Sequence, residues 1–202
     1  MLDGQLFFAT FFTLFVILDP PGLLPIFLGL TRGHTPQERG AIAWRATLVA
    51  LGVIAGFAVF GRYILAYLHI TVESMQVSGG LMLGLVAYQM LMGSTDGEAN
   101  QPERPRHLSI VPLGIPLLAG PGSIVAMMVA VDRAGGVRDY FVVGSALAVA
   151  MLAVWVFLRF AGTIRRILGD AGTTLLSRIA GMLLAAIAVQ MVVDGVQGFI
   201  RA

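Results

Sequence analysis

Two Pro-Gly motifs lie inside apolar stretches of the sequence, and they are where chemistry could take place. The first, Asp19-Pro20-Pro21-Gly22, interrupts an apolar run from about residue 6 to residue 30. The second, Gly120-Pro121-Gly122-Ser123, interrupts a run from about 108 to 131. Proline removes a backbone N–H and clashes with the preceding turn, so each motif predicts a broken helix. In lipid the freed backbone groups are costly, so each break must face protein or a water-filled cavity.

A broken helix exposes helix ends, and helix ends bind ions. Half-helices that begin near Leu23 and Ser123 would present free amides and the positive end of the helix dipole, which suits a carboxylate. Ser123 could cap its helix or donate a hydrogen bond to a ligand. The predicted substrate-binding residues at the two breaks are Asp19, Pro21, Gly22, Gly120, Pro121, Gly122 and Ser123.

Asp19 is the acid that the sequence places near the middle of the bilayer. An ionised acid there costs at least about 2.5–3.5 kcal/mol on insertion scales, which favours a functional role. No arginine lies mid-span to pair with it. Asp19 could therefore be protonated, bind a cation such as a substrate ammonium, or carry a coupling proton. Capping of the helix at the Asp-Pro break is the structural alternative.

Other polar residues complete the set of candidates. Gln89 and Gln190 are predicted to face the bundle interior, where they would hydrogen-bond between helices or line the binding site. Asp194 is predicted to be solvated near the outer end of the last span. No histidine lies mid-span to activate a serine, and histidines and acids are not clustered as in a metal site. We therefore expect no enzyme, no metal and no cofactor.

Composition places these motifs in an all-α integral membrane protein. The 202 residues are 57% hydrophobic and 12% charged, whereas soluble domains average about 45–50% apolar and about 25% charged. One span needs roughly 20 apolar residues, so the chain holds about six spans and no sizeable soluble domain. The apolar runs cover about 6–30, 42–68, 72–93, 108–131, 140–160 and 175–200.

The two halves of the chain resemble each other. An offset of 101 residues brings Gly80, Leu83, Ala87, Gln89 and Met90 onto identical residues, and an offset of 100 aligns the two Pro-Gly motifs. With three spans in each half, the second half must enter the membrane from the opposite side. The sequence thus predicts an inverted 3+3 repeat, typical of secondary transporters, with its first and fourth helices broken. The predicted parts are repeat 1–93, cytoplasmic linker 94–107 and repeat 108–202.

The arginines predict orientation and exclude nucleic acid as a partner. Arginine is concentrated in the loops after the first, third and fifth runs, which puts both termini outside a bacterial inner membrane. No basic stripe lies on a soluble module, so the bilayer is the expected partner. Small-xxx-small patterns at Gly52, Gly80, Gly144 and Gly181 predict close packing within the chain, with a homo-oligomer face as the alternative.

The broken motifs resemble those of a known family. The stretch from Asp19 to Phe27, followed by Leu30-Thr31, resembles the first signature of the MarC-type inner membrane proteins, and the stretch from Pro112 to Ile124 resembles the second. The family has Asn or Asp at the position of Asp19, and often Asn where this chain has Leu23. The resemblance implies six spans and transport of neutral amino acids such as glycine and alanine, driven by protons.

These observations predict a secondary transporter of small neutral amino acids or similar small carboxylate-bearing metabolites. It would be proton-coupled through Asp19 and would alternate its access around the two Pro-Gly breaks. A small-solute channel and a membrane accessory subunit that transports nothing remain the alternatives, because two broken helices could equally line a pore.

Overall fold

The computed structural model of the protein describes residues 2–31, 33–92 and 118–201, and within these ranges it contains only helices and turns. The predicted linker 94–107 and the start of the predicted fourth span, 108–117, lie outside the described residues. The helices are α1 Leu2–Leu18, α2 Pro20–Leu30, α3 Pro36–Tyr67, α4 Val72–Met92, α5 Pro121–Asp132, α6 Val137–Arg159 and α7 Ala161–Arg201.

Five stretches are long and apolar enough to cross a membrane, so the prediction of an all-α membrane protein is confirmed. They are Gly4–Leu24, Pro36–Tyr67, Val72–Met92, Val137–Arg159 and Ala171–Arg201. They match the first, second, third, fifth and sixth predicted runs. Helix α5 corresponds to the end of the fourth run, and its 12 residues extend only about 18 Å at 1.5 Å per residue.

Local sequence explains where the long helices begin and bend. Thr35 and Glu38 form a capping box at the start of α3, with the Thr35 amide donating to Glu38 Oε2 at 2.8 Å. The backbone amides of Thr35 and Glu38 both have acceptors in this capping box. The helix can therefore begin six residues before the predicted apolar run. In α7, Gly169 has φ 67° and separates a short arginine-bearing segment from the membrane-spanning part. Only glycine adopts such a backbone without strain.

Helices of the first half pack mainly on helices of the second half. Helix α1 packs on α5 and α6, α2 on α6 and α7, α3 on α5 and α6, and α4 on α5 and α7. The larger buried cluster includes Leu14, Leu24, Ile54, Val143, Ala150 and Val154. The smaller one joins α4, α5 and α7 through Leu83, Ala87, Val125, Leu184, Ala188 and Met191. The two halves are therefore interlocked rather than side by side.

Glycines set the distance between α4 and α7, which form the most extensive helix pair. A Cβ on Gly80 would lie 2.7 Å from the Ala188 carbonyl oxygen, and one on Gly181 would lie 3.5 Å from the Ala87 carbonyl oxygen. These contacts run in opposite directions along the two helices, so α4 and α7 are antiparallel. Close backbone approach of this kind gives dispersion contacts that lipid does not replace.

The close packing predicted at Gly52 and Gly144 is wrong. A Cβ added at Gly52, Gly56 or Gly144 would meet no atom within 4 Å. A small-xxx-small pattern therefore marks a helix interface in α4 and α7 but not in α3 or α6. The pattern alone does not say whether a second helix lies opposite.

We expect Gly80→Ala to lower the free energy of unfolding by about 1–3 kcal/mol, because its methyl group would overlap the α7 backbone. Gly52→Ala is the matched control, since nothing opposes its methyl group and alanine is the better helix former by about 0.5–1 kcal/mol. Unfolding of both variants in detergent micelles measures the difference. Equal stability of the two variants would show that α4 and α7 are not in close contact.

Candidate functional site

The helix break between α1 and α2 is centred on Asp19. This residue adopts a left-handed backbone, with φ 42° and ψ 63°, and its carboxylate accepts a hydrogen bond from the Gly22 amide at 3.2 Å. Its own amide donates to the Phe15 carbonyl, which ends α1, and its carbonyl accepts from the Leu23 amide, which begins α2. Asp19 is thus both the end of one helix and the cap of the next.

The first turn of α2 offers no free amide, which overturns the prediction that it would hold a carboxylate. Pro20 and Pro21 occupy the first two positions and carry no N–H. The Gly22 amide is taken by Asp19, and the Leu23 amide by the Asp19 carbonyl. The backbone amides that usually bind anions at a helix N-terminus are therefore either missing or already hydrogen-bonded.

The same prolines leave hydrogen-bond acceptors on the other side of the break. The helical donors for the carbonyls of Val16 and Ile17 would be the nitrogens of residues 20 and 21, and both are proline. The donor for the Leu18 carbonyl would be Gly22, whose amide points to Asp19 Oδ1 instead. Val16 and Ile17 pack against the smaller buried cluster. Three carbonyl oxygens without helical donors and one carboxylate therefore belong to four consecutive residues, at the negative end of the α1 dipole.

The second Pro-Gly motif begins α5 without a side-chain cap. Gly120 is the extended residue before the helix, and its carbonyl accepts from the Ser123 amide at 3.1 Å and from the Ser123 hydroxyl at 2.9 Å. Ser123 is 2% exposed, so its hydroxyl is used inside the protein. A Cβ on Gly122 would overlap the Leu83 side chain, so this glycine permits α5 to pack closely on α4.

The two glutamines lie differently from the prediction that both face the bundle interior. Gln89 and Gln190 are both exposed. Gln190 is nevertheless part of a polar group, because its Nε2 donates to Asp194 Oδ1 at 2.6 Å. Residues four apart lie on one helix face, so this pair could have been recognised in the sequence.

A cavity of about 250 Å³ opens between α1, α4, α5 and α7. Its apolar wall includes Leu6, Ala9, Leu14, Ala126, Ala130 and Ile187, and its polar lining consists of Thr10, Thr13, Gln76, Arg133, Gln190 and Asp194. Of the predicted site residues, only Gln190 lines it. On α1 the cavity ends at Leu14, two residues before the first carbonyl that lacks a helical donor, and on α5 it starts three residues after Ser123.

An ion pair that the sequence did not reveal lies at this cavity. Arg133 Nη2 donates to Asp194 Oδ2 at 2.7 Å, and the two side chains are 61% and 27% exposed. The prediction that Asp194 is merely solvated is therefore wrong. Arg133 ends α5 and Asp194 lies in α7, so the pair depends on a tertiary contact that spacing along the chain cannot show.

Comparison with known proteins places the chain in a group of membrane proteins. The profile described as "MarC family integral membrane protein" matches residues 4–200. The chain is 34% identical over 202 residues to a UPF0056 membrane protein of Methanocaldococcus jannaschii, covering 98% of each. It is 34% identical over 188 residues to the UPF0056 inner membrane protein YhgN of Escherichia coli, covering 93% of this chain and 94% of that protein. No solved structure matches the chain.

Asp19→Ala should destabilise the protein, whereas Asp19→Asn should not. Alanine cannot cap Gly22, which costs about 0.5–2 kcal/mol, and it is strained in the left-handed region by about 1–2 kcal/mol. Asparagine can accept the same hydrogen bond and tolerates that backbone. Thermal or denaturant unfolding in detergent tests the difference. If both variants unfold like the wild type, the capping geometry does not contribute to stability.

Proposed function

Because the chain belongs to the MarC family of integral membrane proteins, we propose that it is a secondary transporter of small neutral amino acids or similar small carboxylate-bearing metabolites. Transport is coupled to protons and alternates its access around the two Pro-Gly breaks. The observation that carries this proposal is the break at Asp19. A carboxylate beside three carbonyl oxygens without helical donors suits a proton or a substrate ammonium, inside a segment that crosses the membrane.

The pairing of the helices supports an inverted repeat. Exchanging the first three spans for the last three maps α1 and α2 onto α5, α3 onto α6, and α4 onto α7. The contacts of α1 and α2 with α6 then become those of α5 with α3. The contacts of α2 with α7 become those of α4 with α5. The remaining large pairs, α4 with α7, α3 with α6 and α1 with α5, map onto themselves. Two equivalent halves can adopt two arrangements related by a pseudo-two-fold axis, one open to each side of the membrane.

The repeat also agrees with the residues at the α4–α7 interface. The offset of 101 residues relates Gly80 to Gly181 and Ala87 to Ala188. Gly80 faces Ala188, and Gly181 faces Ala87, so the equivalent residues make equivalent contacts. Leu83 and Leu184, which the same offset relates, are both buried in the smaller cluster. A two-fold axis through this interface, lying in the membrane plane, accounts for these correspondences.

In the transport cycle Asp19 holds the cation. The carbonyls of the last residues of α1, before the break, replace part of a hydration shell, so a proton or an ammonium group can be held without water on every side. The arginine distribution predicts both termini outside, and entry of protons from the outside would drive uptake. Because the Asp19 carboxylate accepts a hydrogen bond from the Gly22 amide at the start of α2, the occupancy of this carboxylate can alter how α1 and α2 meet.

Reconstituted protein should catalyse saturable counterflow of labelled alanine and glycine across liposomes. Saturation follows because each carrier has a finite number of binding sites, and counterflow follows because a site exposed to one side at a time exchanges faster when loaded than when empty. Protein-free liposomes and a pH-gradient control accompany the measurement. Flux of both amino acids without saturation would favour a channel. No flux from protein that is shown to be folded would remove the amino-acid assignment.

Asp19→Asn should abolish uptake driven by a pH gradient while alanine counterflow persists. Asparagine keeps the cap on Gly22 but cannot release or bind a proton at neutral pH. Asp132→Asn is the control, because Asp132 forms an exposed ion pair with Arg62 at the end of α5. Undiminished proton-driven uptake by Asp19→Asn would remove the coupling role of Asp19.

A further inference from the structure

The cavity between α1, α4, α5 and α7 has the composition of a small ligand site. Four helices contribute polar groups to it: Thr10 and Thr13 from α1, Gln76 from α4, Arg133 from the end of α5, and Gln190 and Asp194 from α7. Gln76 and Thr10 are each only 7% exposed, so they are polar groups held inside the protein. Its lining includes one cationic and one anionic side chain, so the formal charge of the site is zero.

We propose that this cavity binds the ammonium and carboxylate groups of a small zwitterionic amino acid. Asp194 takes the ammonium group and Arg133 the carboxylate, while Thr10, Thr13 and Gln76 supply the remaining hydrogen bonds. The inference rests on the proposed transport function and names a substrate site for it. The cavity extends along α1 from Leu6 to Leu14 and from Ala126 on α5 to Arg133, so it is a site separate from both helix breaks.

The donors and acceptors needed by a zwitterion are still available at the ion pair. Arg133 uses Nη2 on Asp194, and the other N–H groups of its planar fork can bind a second carboxylate side by side. Each Asp194 oxygen receives one hydrogen bond, from Arg133 or from Gln190, and a carboxylate oxygen can accept another. Exposed ion pairs contribute little to stability, so substrate can displace this contact at small cost.

The size and wall of the cavity select the side chain. At about 250 Å³ it lies below the range of about 300–1,000 Å³ typical of pockets for drug-sized ligands. Ala9, Ala126 and Ala130 form part of the wall beside the polar groups. A hydrogen atom or a methyl group fits against such a wall, whereas a charged side chain would lack a partner there. Neutral amino acids, alanine among them, are therefore the ones expected to bind.

Binding of labelled alanine to the full-length protein in detergent tests the site. Arg133→Gln and Asp194→Asn should each weaken alanine binding by about tenfold or more, because each removes a charged hydrogen-bond partner. Propionate and ethylamine, which each carry one of the two charged groups, should compete poorly with alanine. Arg62→Gln and Asp132→Asn are the matched controls, since they open an equally exposed ion pair that does not line this cavity.

A labelling experiment keeps the test independent of any change in stability. The chain contains no cysteine, so Ala9→Cys introduces a single thiol in the cavity wall, and Thr71→Cys introduces one at the exposed start of α4 outside the cavity. Alanine should slow modification of the first thiol by a small maleimide and leave the second unaffected. Equal rates with and without alanine at Ala9→Cys would overturn the proposal.

The outcomes separate this inference from the transport proposal. Saturable alanine counterflow by the wild type, together with normal alanine binding by Arg133→Gln and Asp194→Asn, would leave the transporter standing and overturn the cavity as its site. If the folded wild-type protein shows neither counterflow nor alanine binding, both proposals are overturned. Wild-type counterflow, with binding lost in these two variants but retained in Arg62→Gln and Asp132→Asn, is the result that we expect.

Discussion

A backbone carbonyl in the hydrocarbon core has no water to bond, and the region after Leu18 is arranged around that constraint. Two prolines remove the donors that would have continued α1, and the next amide turns to the Asp19 side chain. The left-handed backbone of Asp19 makes this turn possible within a single residue. In such a break the first amides of α2 have acceptors, whereas the last carbonyls of α1 lack helical donors. The electrostatic character of the site follows from where the prolines lie rather than from helix ends in general.

The interlocked halves give this local feature a wider effect. Helices α1 and α2 pack on α5, α6 and α7 rather than on α3 and α4. A movement at Asp19 would therefore change contacts with the second half of the chain first. The cavity with Arg133 and Asp194 is shared between the halves in the same way, because α1 and α4 form one side and α5 and α7 the other. A rocking of one half against the other would therefore change the cavity and the break together.

Composition and hydropathy were sufficient to predict an all-α membrane protein and the positions of five spans, because burial in lipid demands long apolar runs. The position of the Asp19 break was likewise readable, since proline chemistry acts within a few residues. The polarity of that break was misread, because the sequence argument counted helix ends and not the amides that Pro20 and Pro21 lack. The Arg133–Asp194 pair was missed because it joins residues far apart in sequence, and Gln89 was misplaced because one polar residue does not reveal which helix face is covered.

The reciprocal packing of the halves also constrains how the protein is made. When α4 leaves the ribosome, its glycine face has no partner, because α7 lies later in the chain. Until then Gly80 and the small residues around it are covered only by lipid or by a membrane insertase. The α4–α7 interface therefore forms only once α7 has been made, so the contact that joins the two halves is established after α4 is already complete.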